Sequence, residues 1–153
     1  MKKLLIAHRG NTTGPELHLE NTQGHIDRAI YLGFDVEIDL WGFGGGAHLG
    51  HDGPESQIDL EWLLKRGERL WIHCKNFQAI SLIRSSSLHW FFHESDPYTL
   101  TSRGFIWTFP GNEVPAGKSV GLWFEEGNPI HRDMFESAAA ICGDHVGLWS
   151  YAL

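Results

Sequence analysis

The chain opens with an unbroken apolar run, Leu4-Leu5-Ile6-Ala7, that stops at His8, the pattern of a fully buried parallel strand. Phe34-Asp35-Val36-Glu37-Ile38-Asp39-Leu40 instead alternates with period two, so Asp35, Glu37 and Asp39 share one face and Val36, Ile38 and Leu40 the other. Between them Ile26, Ala29 and Ile30 fall on one helical stripe, which Thr22 can cap and Gly33 can end. Strand, helix, strand is the unit that builds parallel sheets. A second helix is expected to start near Asp59, with Trp62, Leu63 and Leu64 turned inward, and to stop at Gly67. Arg69-Leu70-Trp71-Ile72-His73-Cys74-Lys75 reads as a third strand with His73 and Lys75 on one face, and Asn76 caps a helix from Phe77 to Ile83.

Beyond residue 85 the pattern changes. His89 to His93, Gly104 to Phe109, Ser119 to Phe124 and Ala139 to Cys142 read as strands rich in aromatic and aliphatic residues. The segments joining the first three are about ten residues each, near the lower limit for a parallel crossover, which leaves no room for full helices. Asn128-Pro129 signals one last short helix. The expected architecture is α/β: a reduced TIM-type (β/α) barrel of about seven strands, with few helices in its C-terminal half and hairpins able to replace some crossovers.

At 153 residues, 42% of them hydrophobic, the chain makes one domain, residues 1–153, with a real core. It is short for a closed barrel, which typically needs about 250 residues. Seven tryptophans can cover what missing helices leave open, and bare barrel wall can be covered by a partner subunit, so a homo-oligomer is expected, most simply a two-fold dimer. A net charge of -7 without a basic stripe argues against nucleic acid as a partner. A small phosphorylated substrate is still admissible, its charge met locally by Arg9, Lys75 and a metal. Met1-Lys2-Lys3 is followed by only four apolar residues before His8, too few for a secretory core, and no stretch is long enough to span a membrane. The expected location is cytoplasmic. Cys74 and Cys142 fall in expected strands, as small buried hydrophobes do.

The candidate chemistry lies in the first half. His8-Arg9-Gly10 follows the first strand, Leu19-Glu20-Asn21-Thr22 precedes the first helix, Glu37-Ile38-Asp39 lies on the second strand, and His51-Asp52 follows it. Three alternating acids alone describe a solvated strand edge. With both faces of the strand covered, the carboxylates would instead project into the barrel mouth, where burial requires a cation or strong hydrogen bonds. Glu37 and Asp39 can hold a hard cation, and Arg9 offers a planar fork to a phosphate. His8 and His51 can divide acid and base roles. Glu20 can orient Arg9, steady a histidine or join the metal shell. Of the ten histidines most are ordinary; His18, His25, His89, His131 and His145 have no constellation around them.

The order of these four motifs resembles the signature of the glycerophosphodiester phosphodiesterase family: His-Arg-Gly, Pro-Glu-Asn-Thr, Glu-x-Asp and His-Asp. Here Leu19 replaces the proline, and the likeness covers residues 4 to 52. The resemblance implies a TIM-type barrel, hydrolysis of glycerophosphodiesters, His8 and His51 as the acid-base pair, Glu37 and Asp39 on Mg or Ca, and Arg9 on phosphate. Such enzymes carry a Glu-Leu-Lys or similar on the third strand, where this chain has His73-Cys74-Lys75. Lys75 matches as a substrate contact and His73 stands in place of the acid. As a ligand His73 would favour Mn, Zn or another imidazole-tolerant ion. As a non-ligand it would bond substrate, and the remaining alternative is a satisfied core histidine.

The leading expectation is a metal-dependent hydrolase of a glycerophosphodiester or related small phosphodiester, including one of surface-polysaccharide metabolism. The alternative is a non-catalytic phosphate- or metal-binding descendant. A metal-free phospholipase C-like enzyme is weakened by Glu37 and Asp39, which would repel phosphate without a cation.

Overall fold

The computed structural model describes residues 3–129 and 132–152; Met1 and Lys2 of the leader reading, and His131, lie outside them. The elements run β1 Leu4–His8, α1 Gln23–Tyr31, β2 Asp35–Phe43, β3 Gly46–Leu49, β4 Ser56–Ile58, α2 Leu60–Arg66, β5 Leu70–Cys74, α3 Phe77–Ile83, β6 Trp90–Phe92, β7 Tyr98–Leu100, β8 Ile106–Thr108, β9 Gly117–Leu122, α4 Asp133–Glu136, β10 Ala138–Gly143 and α5 Val146–Trp149. Neighbouring strands are parallel through β6-β5-β2-β1-β10-β9-β8. β7 runs antiparallel to β8, and the far end of β2 continues into an antiparallel pair with β3, which holds β4.

This curled mixed sheet corrects the expected reduced TIM-type barrel. Among the described residues strands outnumber helices, and no helix lies between β6 and β9. The physical reason is chain length: residues 93–97, 101–105 and 109–116 are too few to cross back over the sheet as helices. The two ends of the curl meet without a strand ladder among the described residues. Thr99 Oγ1 donates to Phe92 O at 2.9 Å and Ser102 N to Trp90 O at 2.8 Å.

Local signals decide the helices. Asn76 caps α3, its Oδ1 accepting Ala79 N–H at 2.9 Å, and it also binds both backbone groups of Gly42. Gly33, at φ 95°, closes α1 with its N–H on Ile30 O, a left-handed stop that glycine makes without steric cost. Thr22 occupies the N-cap position of α1, but its hydroxyl donates to Leu19 O instead of capping. On α2 only Leu63 is buried; Trp62 is half-buried and Leu64 exposed. A helix of two turns has too narrow a stripe to bury three consecutive residues.

The core has two parts. One lies between the sheet and its helices and includes Ala7, Val36, Ile38 and Leu40. The other fills the inside of the curl with Ile6, Trp71, Phe91, Trp107, Val120, Ala140 and Cys142. Each strand therefore sends alternate side chains to opposite layers. Two positions beyond the inner layer, the same face carries His8, His73, His93, Phe109 and Asp144. The rings of Phe91 and Trp107 floor a cavity, and period two delivers much of its polar lining.

Candidate active site

The cavity lies at the C-terminal ends of the parallel strands and has a volume of about 380 Å³. His8, Arg9, Glu37, Asp39, His51, His73 and Lys75 all line it. Register explains much of this. His8 sits beside Glu37 across β1 and β2, and Asp39 beside His73 across β2 and β5.

His8 is oriented from behind. Its Nδ1 lies 2.9 Å from Asp144 Oδ1 and its Nε2 3.9 Å from Glu37 Oε2. An ionised carboxylate only accepts, so Nδ1 carries the proton and Nε2 turns to the cavity. Burial works against a charged His8 ring, but the Asp144 hydrogen bond and the Glu37 charge outweigh it and raise the pKa. Burial likewise opposes the Asp144 anion, and its bonds to His8 and Asn11 pull its pKa below the usual carboxylate range.

Arg9 sits at φ 54°, a left-handed conformation for a side chain with a Cβ. Its guanidinium meets two acids, Nη1 donating to Glu20 Oε2 at 3.1 Å and Nε lying 3.2 Å from Asp39 Oδ2. Glu20's other oxygen accepts from Asn11 Nδ2 at 2.9 Å. Glu20 thus positions Arg9 and stands outside the carboxylate-imidazole group that follows, where a metal-ligand role had been one expectation.

Glu37, Asp39 and His73 bring one ligand atom each within 4.8 Å of one another. His73 Nε2 lies 2.8 Å from the carbonyl of His93, to which it can only donate. Its Nδ1 faces Asp39 Oδ1 at 3.2 Å and Glu37 Oε1 at 4.0 Å. A neutral ring in this tautomer points a lone pair at two carboxylates, which is favourable only with a proton or a cation between them. Fixing one imidazole nitrogen on a backbone carbonyl is also how metal-binding histidines are oriented. Glu37 Oε2 is buried without a hydrogen-bond partner, so the donor set fits a divalent cation.

The pKa values of the two acids are shifted in opposite directions. Burial and the Asp39 charge push Glu37 upward. Burial pushes Asp39 upward too, but the His73 bond and the charges of His73, Lys75 and Arg9 hold it at about 2. Lys75 Nζ is 3.7 Å from Asp39 Oδ1. Around the cavity the carboxylates of Glu20, Glu37, Asp39 and Asp144 face the permanent cations Arg9 and Lys75. Glu94 lines the cavity as well, so the acids around it outnumber the two cations, an excess that a bound cation would reduce.

His51 reaches the cavity from the loop between β3 and β4, its Nδ1 2.8 Å from Asp52 Oδ1 and its side chain 41% exposed. Trp41 Nε1 pins that loop through Gly50 O at 2.7 Å. Of the histidines read as ordinary, His25 is buried against Asn11 Oδ1 at 3.0 Å and His89 against Thr101 Oγ1 at 2.7 Å.

Sequence reasoning missed Asn11, Asn21, His93 and the role of Asp144. Asn21 had a signal, since it lies inside Leu19-Glu20-Asn21-Thr22, and asparagine is the side chain that best tolerates the φ of 56° found there. Asp144 follows the last apolar strand run as His8 follows the first, but nothing local shows that the two meet. Among the described residues no helix is long and apolar enough to cross a membrane. No protein-family model matches the chain, and neither does any curated protein or solved structure.

Proposed function

We propose that this cavity hydrolyses a small phosphodiester, in the manner of the glycerophosphodiester phosphodiesterases whose motif order the chain resembles. One observation carries the reading: a single cavity holds a carboxylate-oriented imidazole, two cationic side chains and a carboxylate-imidazole triad. Arg9 and Lys75 bind the non-bridging phosphate oxygens, Arg9 with its fork steadied by Glu20. Hydrolysis forms a P–O bond to water and breaks a P–O bond to the alcohol. One imidazole takes the proton from the attacking water and the other returns one to the departing alkoxide. His8 and His51 divide these two tasks, and Asp144 keeps His8 in the tautomer that presents Nε2.

Glu37, Asp39 and His73 are the residues that would hold a divalent cation, which when bound would supply positive charge at the phosphoryl oxygens. The two carboxylates suit Mg or Ca, and the imidazole widens the choice to Mn or Zn. Candidate substrates are glycerophosphodiesters and related small phosphodiesters, including those of surface polysaccharides. The second reading is a non-catalytic phosphate or metal binder. It is favoured by His73 standing where the resemblance expects a third acid.

A panel of phosphodiesters assayed with and without Mg, Ca, Mn and Zn tests the proposal. Metal-dependent release of alcohol from at least one diester is expected. Metal or phosphate binding without turnover on any diester would select the second reading.

A further inference from the structure

Asn11 and His25 have no part in the steps above, and neither lines the cavity. Asn11 is nevertheless wholly buried, with His25 only 6% exposed beside it. Its Nδ2 donates to Glu20 Oε1 and to Asp144 Oδ1, both at 2.9 Å. Its Oδ1 accepts the Glu16 backbone N–H at 3.3 Å and faces His25 Nε2 at 3.0 Å. A side-chain amide has two hydrogens to give and an oxygen with two lone pairs, so all four places are filled.

The partners settle which way the amide points. The Glu16 N–H can only donate, which puts the oxygen on its side, and the two carboxylates can only accept. His25 therefore carries a proton on Nε2 and gives it to Asn11. Gly10, at φ 90°, makes room for that ring: a Cβ there would come within 2.8 Å of His25 Cδ2.

The two carboxylates lead to different halves of the site. Glu20 holds Arg9 through its other oxygen, and Asp144 holds His8 Nδ1 through the same Oδ1 that meets Asn11. A carboxylate with one side-chain partner can turn about its last torsion. A second bond from a donor common to both acids fixes each relative to the other.

We propose that Asn11, held in place by His25, is a positioning residue that ties the Arg9 fork and the His8 imidazole into one unit, so that phosphate is presented at a set angle to His8 Nε2. The inference rests on the phosphodiesterase reading and adds to it the pair of residues that sets its geometry.

The test compares wild type with Asn11→Ala, His25→Leu and His25→Gln, the last of which keeps an N–H within reach of Asn11. Two readouts are taken on the full chain: steady-state turnover of the best diester from the panel above, and the downfield proton resonance of His8 Nδ1–H, assigned by its loss in His8→Ala. Asn11→Ala and His25→Leu should each lower kcat by about tenfold or more, because a small misalignment of reacting groups is costly. KM should stay within about twofold, since Arg9 and Lys75 keep their charges. The His8 resonance should broaden or vanish in the same two proteins, and His25→Gln should restore both readouts in part. Should Asn11→Ala not fold, the two His25 variants decide the matter. A wild-type kcat or an unaltered resonance in His25→Leu, no rescue by His25→Gln, or a wild-type protein without the resonance overturns this inference alone. Absence of turnover on every diester in folded wild type overturns the phosphodiesterase reading and this inference with it.

Discussion

Asn21 grips Asp39 from two sides: its Oδ1 accepts the Asp39 backbone N–H at 2.9 Å, and its Nδ2 donates to Asp39 Oδ2 at 2.9 Å. The Asn21 N–H in turn donates to Arg9 O at 3.2 Å. Arg9 and Asn21 are the only non-glycine residues of positive φ among those described, and they meet here. Such conformations persist where surrounding bonds hold them, and they concentrate at functional sites.

Loss of this clamp should be felt in stability before chemistry. Asn21→Ala leaves two buried partners on Asp39 unsatisfied and places a Cβ at φ 56° without the local bonds that asparagine makes, for a loss of about 2–4 kcal/mol. Asn21→Gly loses the same bonds but not the backbone compatibility, and should fall roughly 1 kcal/mol less. Urea unfolding of the three proteins measures both. A midpoint for Asn21→Ala equal to that of wild type would mean that Asp39 is held by its ion pairs alone.

Replacing His8 or His51 with Ala should each lower turnover by about a hundredfold or more, and the wild-type pH-rate profile should be bell-shaped. Asp144→Asn keeps the shape but can let its amide donate to Nδ1, which turns the His8 proton toward the cavity. It should lower turnover by at least about tenfold while leaving substrate KM nearly unchanged. Full activity in any one of these proteins removes that residue from the proton path.

His73→Ala removes one of the three donors around the proposed cation. Metal affinity measured by calorimetry should fall by about tenfold or more, and more steeply for Mn and Zn than for Mg and Ca. If affinity and metal preference are both unchanged, His73 serves the site only through its bond to the His93 carbonyl.

His89 gives the fold an acid sensitivity separate from the site. It is 3% exposed, and burial, aided by the charges of Arg103 and Lys118, lowers its pKa from 6.5 to about 4. Between those values the unfolded chain binds a proton that the folded chain does not. Its contribution is therefore whole above about pH 6.5 and is lost as the pH falls toward 4. Urea midpoints taken from pH 7.5 downward should drop less steeply in His89→Gln than in wild type. Parallel slopes would assign the acid sensitivity to another group.

Much of the site was legible because strand alternation is a local property. Asp35, Glu37 and Asp39 sit on one face of an extended segment whatever the sheet does around them, and Trp71-Ile72-His73 places a ring and an imidazole on one face for the same reason. The sheet order was less legible. The β3–β4 extension hangs on a turn at Gly44 and Gly45, both at positive φ, and two adjacent glycines between apolar runs are a hairpin signal that the barrel expectation passed over. β7 is three residues long, below what periodicity resolves. Glu20 admitted three roles in the sequence because its partner depends on the left-handed turn at Arg9, which no residue pattern announces.

The position of β10 sets when the His8–Asp144 pair can form. It lies between β1 and β9 and delivers Asp144 to His8 across 136 residues of sequence. A nascent chain that has released β1 through β9 from the ribosome already holds Arg9, Glu37, Asp39, His51, His73 and Lys75, yet its His8 lacks the Asp144 partner that fixes its tautomer and ring orientation. The sheet meanwhile has a gap where β10 will lie, with two bare edges. Closing so distant a contact is slow compared with forming hairpins and helices. On the proposed mechanism, ion binding to the triad could therefore precede proton transfer during maturation, because the strand that carries Asp144 arrives after β1 to β9.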